Sequence, residues 1–312
     1  MNRHRVFIDG SAGTTGLRIY ERLNADPNIE LLTLNEKRRK DIHARLDKIT
    51  EADLTILCLP DDAAKEIAHM APAEANLCDT STAHRVSTHW TYGFPELHGQ
   101  RERIKNSLRV SIPGCHATGF LSLIRPLIET GVVSKDIILS CHSITGYSGG
   151  GNKMIDEYQT HKTLPKYTAP RLYGLTMQHK HLAEMQKIAD LLRPPIFCPI
   201  VSNYRNGILF SMPLLTEVLP EQYHSPQSIA SLFIDYYQNS DIVHIYKDLP
   251  SDGMLEANAL AGKDSLHIFI SGNNSQLLLC ANFDNLGKGA SGAAIQCMNL
   301  MLGRNEIEGL VL

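Results

Sequence analysis

The stretch Arg5-Val6-Phe7-Ile8-Asp9-Gly10-Ser11-Ala12-Gly13-Thr14-Thr15-Gly16 narrows the possible folds more than any other part of the chain. A short buried-strand pattern runs directly into three glycines spaced GxxGxxG. A helical pattern with Leu17, Ile19, Tyr20 and Leu23 follows. Strand, glycine turn and helix in that order form a variant of the dinucleotide fingerprint. Glycine is wanted where backbone amides approach a pyrophosphate, and the helix N-terminus is aimed at its charge. A glycine triplet alone also suits a tight turn built for packing. Its place on the first βα unit of an alternating pattern favours cofactor binding. Gly10, Ser11, Ala12, Gly13, Thr14, Thr15 and Gly16 are therefore the expected cofactor turn.

The alternation continues. Strand patterns at 29–34 (IELLTL), 52–59 (ADLTILCL) and 76–79 are separated by helical ones. Asp61 and Asp62, after Pro60, are good N-cap material for AAKEIAHMA. Such alternation argues for a parallel, doubly wound sheet. The texture changes after about residue 135. Strand patterns at 137–144, 197–201, 208–215, 242–246, 266–270 and 277–283 follow one another with one clear helix, near 228–238. That order suggests an α+β domain with a mixed or antiparallel sheet. Residues 289–302 read as helix again. Repeats, low-complexity tracts and long linkers are missing from the chain.

At 312 residues, two domains are expected. The net charge of −3 is spread along the chain, which argues against capture of nucleic acid or of an anionic membrane. No apolar run approaches the roughly 20 residues of a membrane span. MNRHRVFIDG enters a strand pattern almost at once and leaves no room for a signal peptide. Seven cysteines, an odd number without CxxC spacing, suit free thiols in a reducing cytoplasm.

The second strand bears on the cofactor. An NAD site usually ends this strand with Asp or Glu for the ribose hydroxyl. Here Thr33-Leu34-Asn35 is followed by Glu36-Lys37-Arg38-Arg39. Arg38 and Arg39 suit the 2′-phosphate of NADP, because guanidinium binds phosphate in a charge-assisted fork. The alternative is a solvated helix start.

Six cysteines sit in apolar company and are explained as small buried hydrophobes. Cys115, in SIPGCHATGF, differs. Pro113-Gly114 ends one element, and Phe120, Leu121, Ile124, Leu127 and Ile128 then fall at helical spacing, with Pro126 expected to kink the helix. The thiol lies at the helix start, where unsatisfied amides and the helix dipole favour a thiolate. A proton shuttle is needed beside it. Tyr173-Gly174-Leu175-Thr176-Met177-Gln178-His179-Lys180-His181-Leu182-Ala183-Glu184 offers His179 and His181. Exposed histidines at a helix start are the plainer account. Zinc on His179, His181 and Glu184 fits by ligand type but lacks a fourth ligand, so no metal is expected.

The segments IDGSAGTTGLRIYERL, LCLPDDAAKE, DTSTAHRV, YGFPEL, IPGCHATGF, TGYSGGGNKMI, RLYGLTMQHKHLAEM and DNLGKGASGAAIQCMNLMLG resemble the N-acetyl-γ-glutamyl-phosphate reductases of arginine biosynthesis. The match is to the shorter bacterial type, over nearly the whole chain. The resemblance implies a Rossmann-type α/β dinucleotide-binding domain over residues 1–115 plus 285–312. A catalytic and oligomerisation domain of α+β type, with a mixed sheet, would span 116–284. It implies NADP-dependent interconversion of an acyl phosphate and an aldehyde through a cysteine thioester, in a homo-oligomer, dimer or tetramer. Cys115 falls on the family's catalytic thiol and His179 on its acid/base. Tyr173, His181 and Glu184 fall on supporting positions, and Arg85 on the arginine that holds substrate. Ser148 and Gly149, in the glycine loop, would face the substrate. That loop, through Gly151, reads either as an anion nest for the departing phosphate or as a flexible connection. Pro60, Ser81 and Asn285 would complete the cofactor's contacts.

The chain departs from the family's CYPTG with Cys115-His116-Ala117-Thr118-Gly119. Ile112 stands where asparagine is common, and Asn152 precedes Lys153 where a basic residue is usual. Rival readings are a related semialdehyde dehydrogenase acting on another acyl phosphate, an idle NADP-binding sensor, and a zinc hydrolase. Retention of Cys115, His179 and Arg85 together speaks against the sensor.

Overall fold

Val6, Phe7, Ile8 and Asp9 are all buried, as a strand covered on both faces must be. A computed structural model of the chain describes residues 3–312; Met1 and Asn2, the start of the expected first domain, lie outside the described residues. The opening strand, β1 (His4–Asp9), leads through the glycine turn to α1 (Thr14–Asn24), β2 (Ile29–Leu32), α2 (Ile42–Glu51), β3 (Leu54–Leu57), α3 (Asp61–Met70) and β4 (Leu77–Asp79). Then come β5 (Thr91–Tyr92), α4 (Gln100–Lys105) and β6 (Arg109–Ser111). The six strands pair in parallel in the order β2-β1-β3-β4-β6-β5. Alternate side chains go to opposite faces. Val6, Ile8, Leu54 and Ile56 pack with Ile19 and Leu23 of α1. Phe7 and Leu57 pack with Ile49 of α2 and Ile67 of α3 on the other face. The doubly wound sheet is thus covered by helices on both sides.

The second unit opens with α5 (Cys115–Glu129) and continues through β7 (Ser140–Gly146), α6 (Gly151–Thr160), α7 (Pro165–Thr168), β8 (Arg171–Leu172), α8 (Leu182–Ala189), β9 (Ile196–Ser202) and β10 (Ile208–Leu215). It ends with α9 (Pro226–Tyr237), β11 (Val243–Tyr246), β12 (Leu266–Gly272) and β13 (Gln276–Phe283). Its seven strands run in the order β11-β12-β13-β10-β7-β9-β8. β11 with β12 and β7 with β9 are parallel pairs, and the remaining pairs are antiparallel. The sheet is therefore mixed. α5 and α9 cover one face, over buried Phe210, Met212, Ile268, Leu279 and Ala281.

Two features seat α5. A Cβ at Gly119 would lie 2.7 Å from Cβ of Phe210, so only glycine lets the helix approach the sheet this closely. Pro126 stays inside the helix, where it lacks the N–H that would bond the carbonyl of Ser122. The Tyr237 hydroxyl of α9 donates to that carbonyl instead, at 2.8 Å.

A π-helical turn, Gly287–Ser291, leads into α10 (Gly292–Met301). Ala293, Ala294, Ile295, Cys297, Met298 and Leu300 of α10 join the cluster around Val6 and Ile56. The first unit runs through Gly114 and adds Ala290–Leu310; the second is Cys115–Gly289 with Val311–Leu312. Residues 285–289 and Cys115 therefore lie in the second unit, where the sequence reading had put them in the first. Hydrogen bonds explain the placing. The Gly207 N–H donates to Asn285 Oδ1 at 2.8 Å, and the Gly262 N–H to Asp284 Oδ2 at 2.7 Å. Val311 N–H donates to Asp264 Oδ2 at 2.8 Å and ties the chain's last residues to the second unit.

Candidate active site

In the first unit the glycine turn has three glycines for two reasons. Gly10 has φ +92°, and a Cβ there would lie 2.3 Å from the Cys58 carbonyl oxygen. A Cβ on Gly16 would lie 2.5 Å from the Gly10 oxygen, so these two are required by the backbone itself. Gly13 meets only the Gly10 oxygen, at 3.7 Å. It sits at the N-cap of α1 and leaves room for a ligand at the helix start. A cleft of about 590 Å³ opens here, lined by Asp9 to Ala12, Leu31 to Leu34, Arg39, Lys40, Arg45 and Leu59, among others. Of the glycine turn, Gly10, Ser11 and Ala12 line it; that edge, its volume and its basic side chains fit a phosphorylated dinucleotide.

The basic run divides. Arg39 and Lys40 line the cleft. Arg38 does not; its guanidinium bonds the Asp41 carboxylate at 3.3 Å through Nε and Nη2. Asp41 also accepts from the His43 and Ala44 amides as the N-cap of α2, and these bonds, that to Ala44 foremost, hold its carboxyl below the usual range. Lys40 and Arg45 were not expected in the cleft. Arg45 is paired with Asp9, Nη2 to Oδ2 2.7 Å, and both are almost fully buried. Burial pushes the Asp9 carboxyl up while Arg45 draws it down.

Ser81 is buried and bonds Asp79 Oδ2 through its hydroxyl at 2.7 Å. Pro60 sits at the N-cap of α3. The buried Arg85 donates through Nε to the Ile112 carbonyl at 2.8 Å and through Nη2 to the Thr80 carbonyl at 2.9 Å. These bonds hold the guanidinium in one orientation.

In the second unit Cys115 is the first residue of α5 and is half-buried. Gly289 passes against it; a Cβ there would lie 2.9 Å from the Cys115 Cβ. His116, next in the helix, is buried and bridges two hydroxyls. Its Nδ1 lies 2.9 Å from Ser143 Oγ on β7 and its Nε2 2.8 Å from the Tyr173 hydroxyl. Around it the ring centroids of His179, His181 and Phe197 lie at 5.3, 5.5 and 5.1 Å. The backbone N–H of His181 donates to His179 Nδ1 at 3.2 Å. His181, at the N-cap of α8, and Glu184, in its first turn, are buried.

Both central histidines are neutral at ordinary pH. Burial first, then the charge of Lys180, brings His179 down to about 4. Burial first, then His179 and Lys180, brings His116 down to about 3. The structure thus gathers Cys115, Tyr173, His179 and His181 around His116. The sequence marked His116 as a departure from the family pattern and a fallback to His179, not as the hub of the site, because its partners Ser143 and Tyr173 lie far along the chain. Among the described residues, the three side chains gathered at metal-ligand spacing are Cys115, His116 and His181, rather than His179, His181 and Glu184.

Asn285 and Ser148 face each other, Asn285 Nδ2 to Ser148 Oγ 2.9 Å. The amide oxygen of Asn285 takes the Gly207 N–H, so its side chain is bound at both ends within the second unit. In the glycine loop, the Tyr147 and Ser148 amides are donated to the carbonyls of Tyr204 and Arg205. Gly149 lies beside the Asn285 amide; a Cβ there would be 3.4 Å from Nδ2.

Residues 5–107 match a family model described as the NAD-binding domain of semialdehyde dehydrogenases, and residues 115–285 match that of their dimerisation domain. Over 99% of its length the chain is 42% identical to N-acetyl-gamma-glutamyl-phosphate reductase 2 of Nostoc sp., covering 100% of that protein. Over 97% it is 42% identical to the Pseudomonas putida protein of the same name, covering 98% of it. The N-acetyl-gamma-glutamyl-phosphate reductase of Brucella anthropi is 41% identical over 96% of the chain and 99% of its own. Among solved structures, aspartate semialdehyde dehydrogenase from Francisella tularensis superposes with a TM-score of 0.74 at 14% identity, over 96% of this chain and 100% of that one. The Candida albicans enzyme, solved with NADP, gives 0.67 at 14% identity, over 98% of this chain and 100% of that one. Those two likenesses establish the fold.

Proposed function

The chain belongs to the N-acetyl-γ-glutamyl-phosphate reductases of the semialdehyde dehydrogenase family, and from that premise we propose that it reduces N-acetyl-γ-glutamyl phosphate to N-acetylglutamate semialdehyde and phosphate, a step of arginine biosynthesis, with NADPH as reductant. The observation that carries the reading is Cys115 at the first position of α5 in the same cluster as His116, His179 and His181.

Amides at the start of α5 favour the Cys115 thiolate. The thiolate adds to the acyl carbon, the bond to the phosphate oxygen breaks, and a thioester remains on Cys115. NADPH, held by the glycine turn with Arg39 and Lys40, would supply hydride for the thioester carbon. The carbonyl oxygen then bears the charge. His179 is neutral, and its Nδ1 accepts the His181 N–H, so the ring proton is on Nε2. That N–H donates a hydrogen bond to the oxyanion and lowers the barrier to its formation. Collapse re-forms the carbonyl, returns the electron pair to the Cys115 sulfur and frees the aldehyde. The proton the overall reaction consumes ends on the released phosphate.

In this reading Arg85 holds the substrate carboxylate, with its orientation set by the Ile112 and Thr80 carbonyls. Gly10 to Gly16 hold the pyrophosphate, and Arg39 and Lys40 meet the 2′-phosphate. Ser148 and Gly149 border the substrate, with Asn285 fixing Ser148. The protein acts on a small molecule and assembles as a homo-oligomer, dimer or tetramer. Among the described residues none of the seven cysteines is in a disulfide, and no helix is long and apolar enough to cross a membrane. Both fit a cytoplasmic enzyme.

The test runs the reaction backwards. N-acetylglutamate semialdehyde, phosphate and NADP are mixed with the protein, and nicotinamide reduction is followed by absorbance. Turnover should far exceed that with aspartate semialdehyde, and Cys115→Ala should abolish it while NADPH still binds. Turnover retained in Cys115→Ala would rule out the covalent route, and preference for aspartate semialdehyde would rule out the substrate.

A further inference from the structure

Cys115 Sγ, a ring nitrogen of His116 and a ring nitrogen of His181 lie within 4.8 Å of one another. Thiolate and imidazole are the ligand types of zinc, and three protein ligands with one position open is the arrangement of its exchangeable sites. At usual bond lengths the ligand atoms of a tetrahedral ion stand roughly 3.5 Å apart. Side-chain rotations of about an ångström would close these three onto one ion.

The scaffold already holds the three groups in place. Cys115 and His116 are consecutive on the first turn of α5, and His181 stands at the N-cap position of α8, which packs on α5. Each ring nitrogen of His116 has a hydroxyl partner, Ser143 Oγ on one side and Tyr173 OH on the other. An incoming ion displaces one hydroxyl, and the other goes on orienting the ring, the usual outer-shell support of a metal-bound histidine. An aromatic residue at position 116 would leave two ligands, too few for a specific zinc site.

We propose that Cys115, His116 and His181 form a reversible, inhibitory Zn²⁺ site. The ion takes the Cys115 sulfur as thiolate, releasing the thiol proton to solvent, and a sulfur so bound does not add to an acyl carbon. The inhibitory half rests on the reading of Cys115 as nucleophile; the binding half does not.

The experiment titrates metal-free, full-length protein with Co²⁺. One ion per subunit is expected to bind, with a thiolate-to-cobalt charge-transfer band and the visible bands of a tetrahedral ion. Zn²⁺ should bleach both. Stoichiometric Zn²⁺ should also protect Cys115 from iodoacetamide, and a chelator should reverse this. His116→Phe, which keeps a ring of similar size, should weaken Co²⁺ binding by about 100-fold or more. Should that variant not fold, Cys115→Ser should erase the charge-transfer band. Absence of that band from the parent protein, or equal affinity in His116→Phe, would overturn the site. Reductase activity unaffected by stoichiometric Zn²⁺ would overturn the inhibition. Metal binding in a protein with no reductase activity at all would leave the site standing and count against the proposed function.

Discussion

Arg38, Arg39 and Lys40 are neighbours in sequence and have different surroundings. Arg38 closes the 3-10 turn Glu36–Arg38 and Arg39 is its C-cap, with Lys40 just beyond, so Arg38 and Arg39 are swung about a third of a turn apart. Arg38 is directed back to Asp41, while Arg39 and Lys40 reach the cleft. Arg39→Ala and Lys40→Ala should each raise KM for NADPH about 10-fold or more and leave KM for NADH nearly unchanged, since a charge-assisted phosphate contact is removed. Arg38→Ala should change either by less than about 3-fold. Steady-state kinetics with both cofactors decide, and an Arg38→Ala effect as large as that of Arg39→Ala would refute the assignment. The sequence made the basic cluster visible but not which member faces the ligand, because that depends on the local rotation of a three-residue turn. His116 is a sharper case. Its burial and its hydroxyl partners come from β7 and from the segment after β8, and no local pattern records such long-range contacts.

At the scale of elements, long periodic segments were legible and short ones were not. The strand pattern at 208–215 coincides with β10, and the glycine turn lies between β1 and α1 as read. β5 and β8, two residues each, carry too few side chains to show a period. Pro126 promised a kink. It lies inside a helix that continues to Glu129, with the orphaned Ser122 carbonyl satisfied by Tyr237 from another helix. Tyr237→Phe should therefore cost about 1–2 kcal/mol in urea denaturation, the penalty for a buried carbonyl left without a partner. In a Pro126→Ala background the backbone N–H of position 126 can bond Ser122, and the same substitution should cost markedly less. Equal costs in both backgrounds would show that the hydroxyl acts in some other way than by replacing the missing helical bond.

For the molecule as a whole, the informative surface is the face of the mixed sheet that α5 and α9 leave uncovered. The β13 sequence QLLLCANF is apolar on both faces, the pattern of a strand covered on two sides. The chain itself covers one end of the outer face: Asn282 Nδ2 donates to the Glu256 carbonyl at 2.7 Å, and Cys280 and Asn282 are buried. The other end is bare. Leu278 is 38% exposed and pairs across the strands with the exposed Pro213, and Leu215, two residues on, is 48% exposed. Apolar side chains grouped in this way mark an interaction surface, and they lie within the part of the chain that matches a dimerisation domain. A second copy of the same sheet is a partner that presents the same apolar face, as a self-complementary two-fold contact requires. Leu215→Asp with Leu278→Asp would place charge within such a contact, where burial without a partner is costly, while both side chains remain solvated in a lone subunit. The double variant should sediment as a smaller species than the parent at equal concentration, with its far-ultraviolet circular dichroism unchanged. If instead the assembly survives both aspartates, the contact between subunits must lie on another face, and the apolar run of β13 would need a different cover.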